Sequence, residues 1–411
     1  MNNTLYATEL FGLISLADFD INYDTMPPLL MYDKLMSHWV VDNMINDLQP
    51  SGLWQIINHG LTNYSEIVAA RKNGYMVLHN DVLSDVTDCT TVTTTRKVDV
   101  VDEVLRPGMH IRTLITRGLC DTDMCIFTHI EKLDMRYNKY ITTCDPFAKT
   151  LKILMVEHSG IRDYGLRLCA NIVHLDADVS NIIMRGPFVK YLRVLSVSGL
   201  CCQVHCDELG LCENIEELRA DGNRKIKVCD VFAKSLVILS ATGSCGISDY
   251  GLRLCMNIKN LDASNNARIT TCEPFAKSLR ILSASGPCGI SDHGLHSCIN
   301  IENLNATGNT KITTCRPFAK SLIILFAAYA CGISDHGLRH CSHIVTLCAD
   351  NNCNITTCKP FAKSLITLSA TGSCGIPHNE QYRYTKKYSR TTTDIRAPSS
   401  YYQMFTDSPF I

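Results

Sequence analysis

The sequence lacks an excess of charge of either sign, because its 411 residues carry 39 Lys and Arg against 40 Asp and Glu. A formal net charge of −1 provides no overall field that attracts nucleic acid or an anionic membrane, so we expect neither as a partner. The chain also has no apolar run of 18 residues, which argues against a membrane helix. Its first residues lack the basic leader of a secretory signal. We therefore expect a cytoplasmic protein.

Catalytic motifs are also missing. The sequence contains no phosphate-binding loop, dinucleotide-binding glycine pattern, metalloprotease helix or nucleophile elbow. Two segments rich in Cys and His, 201–206 and 336–343, match no structural zinc spacing, so we predict no metal site. The prediction is a non-enzymatic protein without a cofactor or catalytic residues, and an enzyme confined to the amino-terminal segment stays an open alternative.

Repeated segments are abundant. The phrase Pro-Phe-Ala-Lys, or a near copy, recurs every 41 to 44 residues from Pro146 to Pro360. Each long repeat has two halves of the form Leu-x-x-Leu-x-Ala, whose second leucines mark thirteen units 19 to 23 residues apart. This period is typical of leucine-rich repeats, in which each unit supplies one short strand and a return segment. The cysteines follow the same period, since 16 of the 22 fall into three repeat columns.

The repeat predicts which residues hold successive coils together. Strand leucines point into the coil because side chains alternate along a strand. An Asn in the following turn can satisfy backbone groups that no sheet ladder reaches, and a Cys packs where coils approach closely. The predicted structural residues are Leu261, Leu282, Leu304 and Leu325 in the strands, and Asn266, Asn309, Asn352, Cys245, Cys288 and Cys331 in the turns.

The residues that flank each strand leucine face outward on the inner, concave side of the predicted solenoid. They are a mixture of hydroxyls, amides and a few charges, which suits a protein ligand better than a polyanion. A surface shaped only by repeat duplication remains the alternative. The predicted protein-binding residues are Asp134, His174, Asp176, Arg219, Asn260, Asp262, Asn303, Asn305 and Phe326.

The segment CGISDYGLRLCMNIKNLDASNN, from Cys245 to Asn266, resembles the cysteine-containing leucine-rich repeats of F-box substrate receptors. The match covers roughly residues 108 to 376. Together with the alternating TTCxPFAKS half, the chain resembles the duplicated leucine-rich-repeat proteins of large amoeba-infecting DNA viruses. The resemblance implies a protein-binding scaffold. Its F-box part also implies an alternative, the substrate-recognition subunit of an SCF-like ubiquitin ligase that binds a Skp-type adaptor.

We therefore predict an α/β leucine-rich-repeat solenoid, with a curved parallel sheet, short convex helices and about thirteen repeats, spanning residues 99–376. A small amino-terminal domain, residues 1–98, precedes it and holds both tryptophans. We expect helices in this domain, and a divergent F-box is the alternative for the same residues. Residues 377–411 form a carboxy-terminal cap or a disordered tail.

Overall fold

The computed structural model describes the backbone of residues 75–78 and 91–94, together with residues 112–381. These residues belong to two compact units, residues 1–219 and 220–411. In the first unit, eight strands pair in chain order, and every pairing is parallel. The strands are β1 (Tyr75–Leu78), β2 (Thr91–Thr94), β3 (Thr113–Thr116), β4 (Lys132–Asp134), β5 (Ile153–Met155), β6 (His174–Asp176), β7 (Val194–Ser196) and β8 (Glu217–Arg219).

The second unit repeats this arrangement with seven strands. Leu282 of one strand pairs with Leu261 and Leu304 of its two neighbours, and the same leucine-to-leucine register continues through the unit. This parallel register confirms the predicted leucine-rich-repeat solenoid. The strands are β9 (Ile238–Ser240), β10 (Asn260–Asp262), β11 (Ile281–Ser283), β12 (Asn303–Asn305), β13 (Ile324–Phe326), β14 (Thr346–Cys348) and β15 (Thr367–Ser369).

The return segments are shorter than the helices that the sequence predicts. Two are four-residue α-helices, α1 (Asp249–Leu252) and α2 (Asp335–Leu338). The others are 3₁₀ turns, because a unit of about twenty residues leaves room for only one tight turn between strands. They span Asp123–Ile126, Asp145–Phe147, Asp163–Leu166, Pro187–Lys190, Cys206–Leu211, Asp230–Phe232, Glu273–Phe275, His293–Leu295, Arg316–Phe318 and Lys359–Phe361.

The core of each unit is a stack of repeated apolar side chains. Twelve of the thirteen marker leucines, all but Leu368, are at most 2% exposed. The phenylalanine of each Pro-Phe-Ala-Lys turn, such as Phe275 or Phe318, is at most 1% exposed and fills the coil from the other side. Burial of one such side chain contributes roughly 1.5–3 kcal/mol, so the repeat itself supplies the stability of the fold.

A repeated Asp-x-Gly sequence joins each coil to its neighbours. The Asp292 carboxylate accepts hydrogen bonds from the Thr313 N–H at 2.8 Å and from its hydroxyl at 2.5 Å. Two residues later, a Cβ on Gly294 would lie only 2.1 Å from the Thr270 carbonyl oxygen of the preceding coil. Only glycine permits this approach, which explains why the motif requires it.

Cysteines of two different repeat columns also meet between coils. The Cys272 thiol forms a hydrogen bond with that of Cys298, and this contact together with burial raises the pKa of Cys272. Cys315 and Cys341 make the same contact in the next repeat. All four thiols are 0% exposed, so they act as core packing groups.

Described residues lie on both sides of each predicted domain boundary. Strands β1 and β2 precede residue 99, so the sheet extends across the predicted boundary between residues 98 and 99. At the other end, the Glu380 carboxylate accepts a hydrogen bond from the Cys358 N–H at 2.7 Å. In the preceding repeat, the Cys315 N–H donates instead to the Gly337 carbonyl. The remainder of the predicted amino-terminal domain and the tail from residue 382 lie outside the described residues.

Candidate functional site

The inner face of the first unit begins with a buried ion-pair cluster around Asp134. Its side chain is 6% exposed and binds Arg117 Nη1 at 2.9 Å and Arg136 Nη2 at 2.7 Å. Burial alone would raise the pKa of Asp134, but hydrogen bonds from the two arginines outweigh it and lower the pKa. Asp134 therefore positions two partly exposed guanidinium groups and does not itself offer a charge to a partner.

His174 and Asp176 lie on strand β6, in the middle of the same face. Burial lowers the pKa of His174, which favours its neutral form. Burial and the neighbouring Asp178 raise the pKa of Asp176 to about 6. Farther along the face, Arg219 forms an ion pair of 2.7 Å with Glu217, whose carboxylate is buried. The first unit thus presents a face of charges that are largely paired or shifted toward neutrality.

The second unit has a groove of about 320 Å³ on its inner face. Of the predicted binding residues, Asn305 and Phe326 line the groove, whereas Asn260, Asp262 and Asn303 are half-buried on the same face outside its lining. Burial raises the pKa of Asp262, whose carboxylate accepts the Ser264 N–H at 2.9 Å. The groove is lined by Ser264, Ser283, Ser285, Asn305, Thr307, Phe326, Ala328, Tyr329, Cys348 and Asp350.

One coil in this groove departs from the repeat at three positions together. In the alternate coils of β9, β11 and β15, the residues one, three and four places after the strand leucine are Ser, then Ser or Thr, then Gly. In the coil of β13 they are Phe326, Ala328 and Tyr329. Tyr329 is 60% exposed and adopts a φ of 57°, the left-handed conformation that Gly243, Gly286 and Gly372 adopt in the coils of β9, β11 and β15. The groove is therefore centred on an aromatic pair that breaks the repeat.

The sequence analysis considered only the residues directly next to each strand leucine. It missed the residues that stand three positions after the leucine. At this position Asp350 accepts hydrogen bonds from the Ser369 hydroxyl at 2.8 Å and from the Thr371 N–H at 2.7 Å. Asp221 makes the matching contacts with Ser240 and Thr242. The two-residue alternation could have found these side chains, because it continues past the end of the strand.

The predicted structural residues lie in the coil interiors. Asn309 is 1% exposed, donates from Nδ2 to the Ala284 and Ile290 carbonyls at 2.8 and 3.2 Å, and accepts the Lys311 N–H at 2.8 Å. Asn266 and Asn352 repeat this pattern. The strand leucines Leu261, Leu282, Leu304 and Leu325 and the cysteines Cys245, Cys288 and Cys331 are all at most 2% exposed.

The described part of the chain contains no cluster of three or more His, Cys, Asp or Glu side chains placed to hold a metal ion. Within residues 75–78, 91–94 and 112–381, no helix combines the length and apolar character needed to cross a bilayer.

Comparison with known proteins finds likeness only among solved structures, since no family model matches the chain and no curated protein matches it. A crystal structure of an internalin (inlF) from Listeria monocytogenes is 17% identical and covers 64% of this chain and 81% of its own, with a TM-score of 0.49. A leucine-rich-repeat protein of Leptospira interrogans is 15% identical over 75% of this chain and 90% of its own, with a TM-score of 0.47. The functional domain of InlJ from Listeria monocytogenes, which includes a cysteine ladder, is 14% identical over 68% of this chain and 56% of its own, with a TM-score of 0.35.

Proposed function

We propose that the protein is a non-enzymatic scaffold that binds a protein partner through the inner sheet face, with the groove around Phe326 and Tyr329 as its anchor point. The observation that carries this proposal is the change of three positions in one coil. Duplication alone would copy the Ser-Ser-Gly or Ser-Thr-Gly pattern into the coil of β13, as it does in the other three alternate coils of this unit. A large aromatic pair among hydroxyl groups matches the composition of binding hot spots.

Tyr329 supplies the exposed aromatic surface of the groove, since it is 60% exposed. Its left-handed backbone recurs at the same repeat position in Tyr137, His158 and Val179 of the first unit, so that conformation belongs to the repeat and the aromatic side chain is what is special to this coil. The neighbouring hydroxyls and amides, including Thr307 and Asn305, can hydrogen-bond a polypeptide around the aromatic anchor. These features support a peptide segment with an apolar side chain that enters the groove and polar groups that contact its rim.

The test is to pan a random-peptide library against the full chain and to measure the affinity of the selected peptides by fluorescence anisotropy. The double variant Phe326→Ser with Tyr329→Gly restores the pattern of the other coils and relieves the left-handed tyrosine. We expect it to bind at least about tenfold more weakly, because the loss of a hot-spot aromatic typically costs 2 kcal/mol or more. Lys277→Gln, on the outer face, is the matched control and should bind normally. Selected peptides that bind the double variant as tightly as the original chain would refute the proposal.

The resemblance to F-box receptors supports a more specific role, the substrate-recognition subunit of an SCF-like ubiquitin ligase. The adaptor-binding segment would lie within residues 1–98, mostly outside the described residues. The resemblance to viral repeat proteins further supports a host protein in the cytoplasm as the partner. Retention of a purified Skp-type adaptor by the full chain tests the ligase role, and failure to retain it at micromolar concentration would exclude that role.

A further inference from the structure

The outer side of the coils carries a recurring ion pair between consecutive return segments. Arg253 Nη2 donates to Asp230 Oδ2 at 2.5 Å, and its guanidinium stacks over the Tyr250 ring at 4.0 Å from the centroid. Arg167 and Asp145 make the same ion pair in the first unit. In these two pairs of coils, the position holds a carboxylate against a guanidinium.

The backbone contact that sets this geometry recurs farther along the second unit. The Cys229 N–H donates to the Gly251 carbonyl at 3.1 Å, and the Cys315 N–H donates to the Gly337 carbonyl at 3.2 Å. The residue after the cysteine and the residue two places after the glycine therefore stand at equivalent repeat positions at the two sites. The two sites can therefore be compared residue by residue.

At the second site, one of the two residues carries the opposite charge. Arg316 stands where Asp230 stands, and Arg339 stands where Arg253 stands. Arg339 turns to its own loop, where Nε donates to His340 Nε2 at 2.9 Å. Among the described residues, neither Arg316 nor Arg339 forms an ion pair with a carboxylate, and both are exposed. Two arginines thus stand at repeat positions that hold one guanidinium and one carboxylate in the pairs Arg253–Asp230 and Arg167–Asp145.

Further cations extend this site along the outer face. Lys359 follows Cys358 as Arg316 follows Cys315, and Lys320 and Lys363 end the same two turns; all three are exposed. Two nearby carboxylates are engaged by other groups. Asp335 accepts the Thr356 N–H at 2.8 Å and the Thr356 hydroxyl, and Glu380 accepts the Cys358 N–H at 2.7 Å. We call the set Arg316, Lys320, Arg339, Lys359 and Lys363 the outer strip.

We propose that the outer strip binds an acidic polypeptide segment of a partner protein, with one carboxylate held between Arg316 and Arg339. The chemistry follows from the repeat, because the group absent from this position is the carboxylate that Asp230 supplies to Arg253. Adjacent strands are spaced by roughly 4.8 Å, which sets a lower bound for the spacing of the outer turns, and residues i and i+4 of a helix are about 5–6 Å apart. An acidic helix can therefore place carboxylates on successive coils. This site lies outside the inner-face groove, so it does not depend on the function proposed above.

The experiment measures binding of a fluorescein-labelled helical peptide of Ala and Glu, with Glu at i, i+4 spacing, to the full chain at low ionic strength. A peptide with Gln in place of Glu is the ligand control, and a single-stranded DNA of equal charge is the competitor class. Arg316→Asp restores the ion pair of the earlier coils, and Arg339→Gln removes one guanidinium without adding an anion. We expect each variant to weaken binding of the Glu peptide at least about tenfold, because each removes a charge-assisted contact. Lys277→Gln, upstream on the outer face, should change it less than about twofold.

Three outcomes would overturn the proposal. The first is a Glu peptide that does not bind, or that binds no better than the Gln peptide. The second is binding that survives both Arg316→Asp and Arg339→Gln. The third is DNA that binds more tightly than the peptide and depends on Arg316, which would assign the strip to nucleic acid. Thermal melting of Arg316→Asp serves as the folding control, and the melting temperature should be unchanged or higher because the variant adds a carboxylate that can pair with Arg339.

Discussion

Replacing Asn309 with Ala tests how the coils are held together. The side chain makes three hydrogen bonds, two buried ones to the carbonyls of Ala284 and Ile290 and a partly buried one from the Lys311 N–H. The alanine variant leaves these three backbone groups without that partner at a position that is 1% exposed. A net cost of about 1 kcal/mol for each bond gives an expected loss of about 3 kcal/mol in the free energy of unfolding. The loss should be local to its repeat, since each coil contacts only its neighbours.

Urea unfolding followed by circular dichroism measures this loss on the full chain. Asn303→Ala is the matched control, because Asn303 is half-buried on the inner face and its side chain contributes no comparable coil-to-coil bond. We expect the control to change stability by less than about 0.5 kcal/mol. A loss below about 1 kcal/mol for Asn309→Ala, or equal losses for both variants, would refute the role assigned to the asparagine ladder.

Three further predictions concern the core, the thiols and the inner face. Leu304→Ala should cost about 2–5 kcal/mol through a cavity, and unchanged thermal melting would show that Leu304 is not in the core. Of the 21 cysteines in the described residues, native thiol titration should rapidly label at most the seven that are exposed or half-buried, and rapid labelling of the 14 buried ones would contradict the buried columns. Burial raises the pKa of the Asp176 carboxyl to about 6, so the folded state binds a proton at this group more tightly than the unfolded chain does. The stability that this protonation contributes is lost as pH rises through about 6. Asp176→Asn should therefore stabilise the protein at neutral pH by about 1–2 kcal/mol, a gain that urea unfolding should show shrinking toward about pH 4.

The fold could be predicted from the sequence because the large apolar residues that fill its core recur with the period of the repeat. Leucines such as Leu282 and Leu304 recur at a fixed distance, and alternation along a strand decides which way they point. The contacts between columns could not be predicted, because the sequence does not tell how one coil is rotated against the next. The meeting of Cys272 with Cys298 depends on that rotation.

The candidate site was predicted only in part for a related reason. Phe326 was predicted because it flanks a strand leucine. Tyr329 was not, because it belongs to a turn whose side-chain direction depends on a left-handed backbone. Asp134 was predicted to contact a partner, but the sequence alone does not show that Arg117 and Arg136 converge on it from two different turns.

The in-register stacking of strands in the second unit underlies both the groove and the outer strip. Nitroxide labels introduced as a genetically encoded amino acid at Ile238 and Ile324, or at Ile238 and Thr367, measure it by pulsed electron resonance. Four and six strand spacings predict separations of about 19 Å and about 29 Å, before allowance for the label arms. An increase of about 10 Å from the first pair to the second is the expected result. Equal distances, or a shorter one for the second pair, would contradict the stacking.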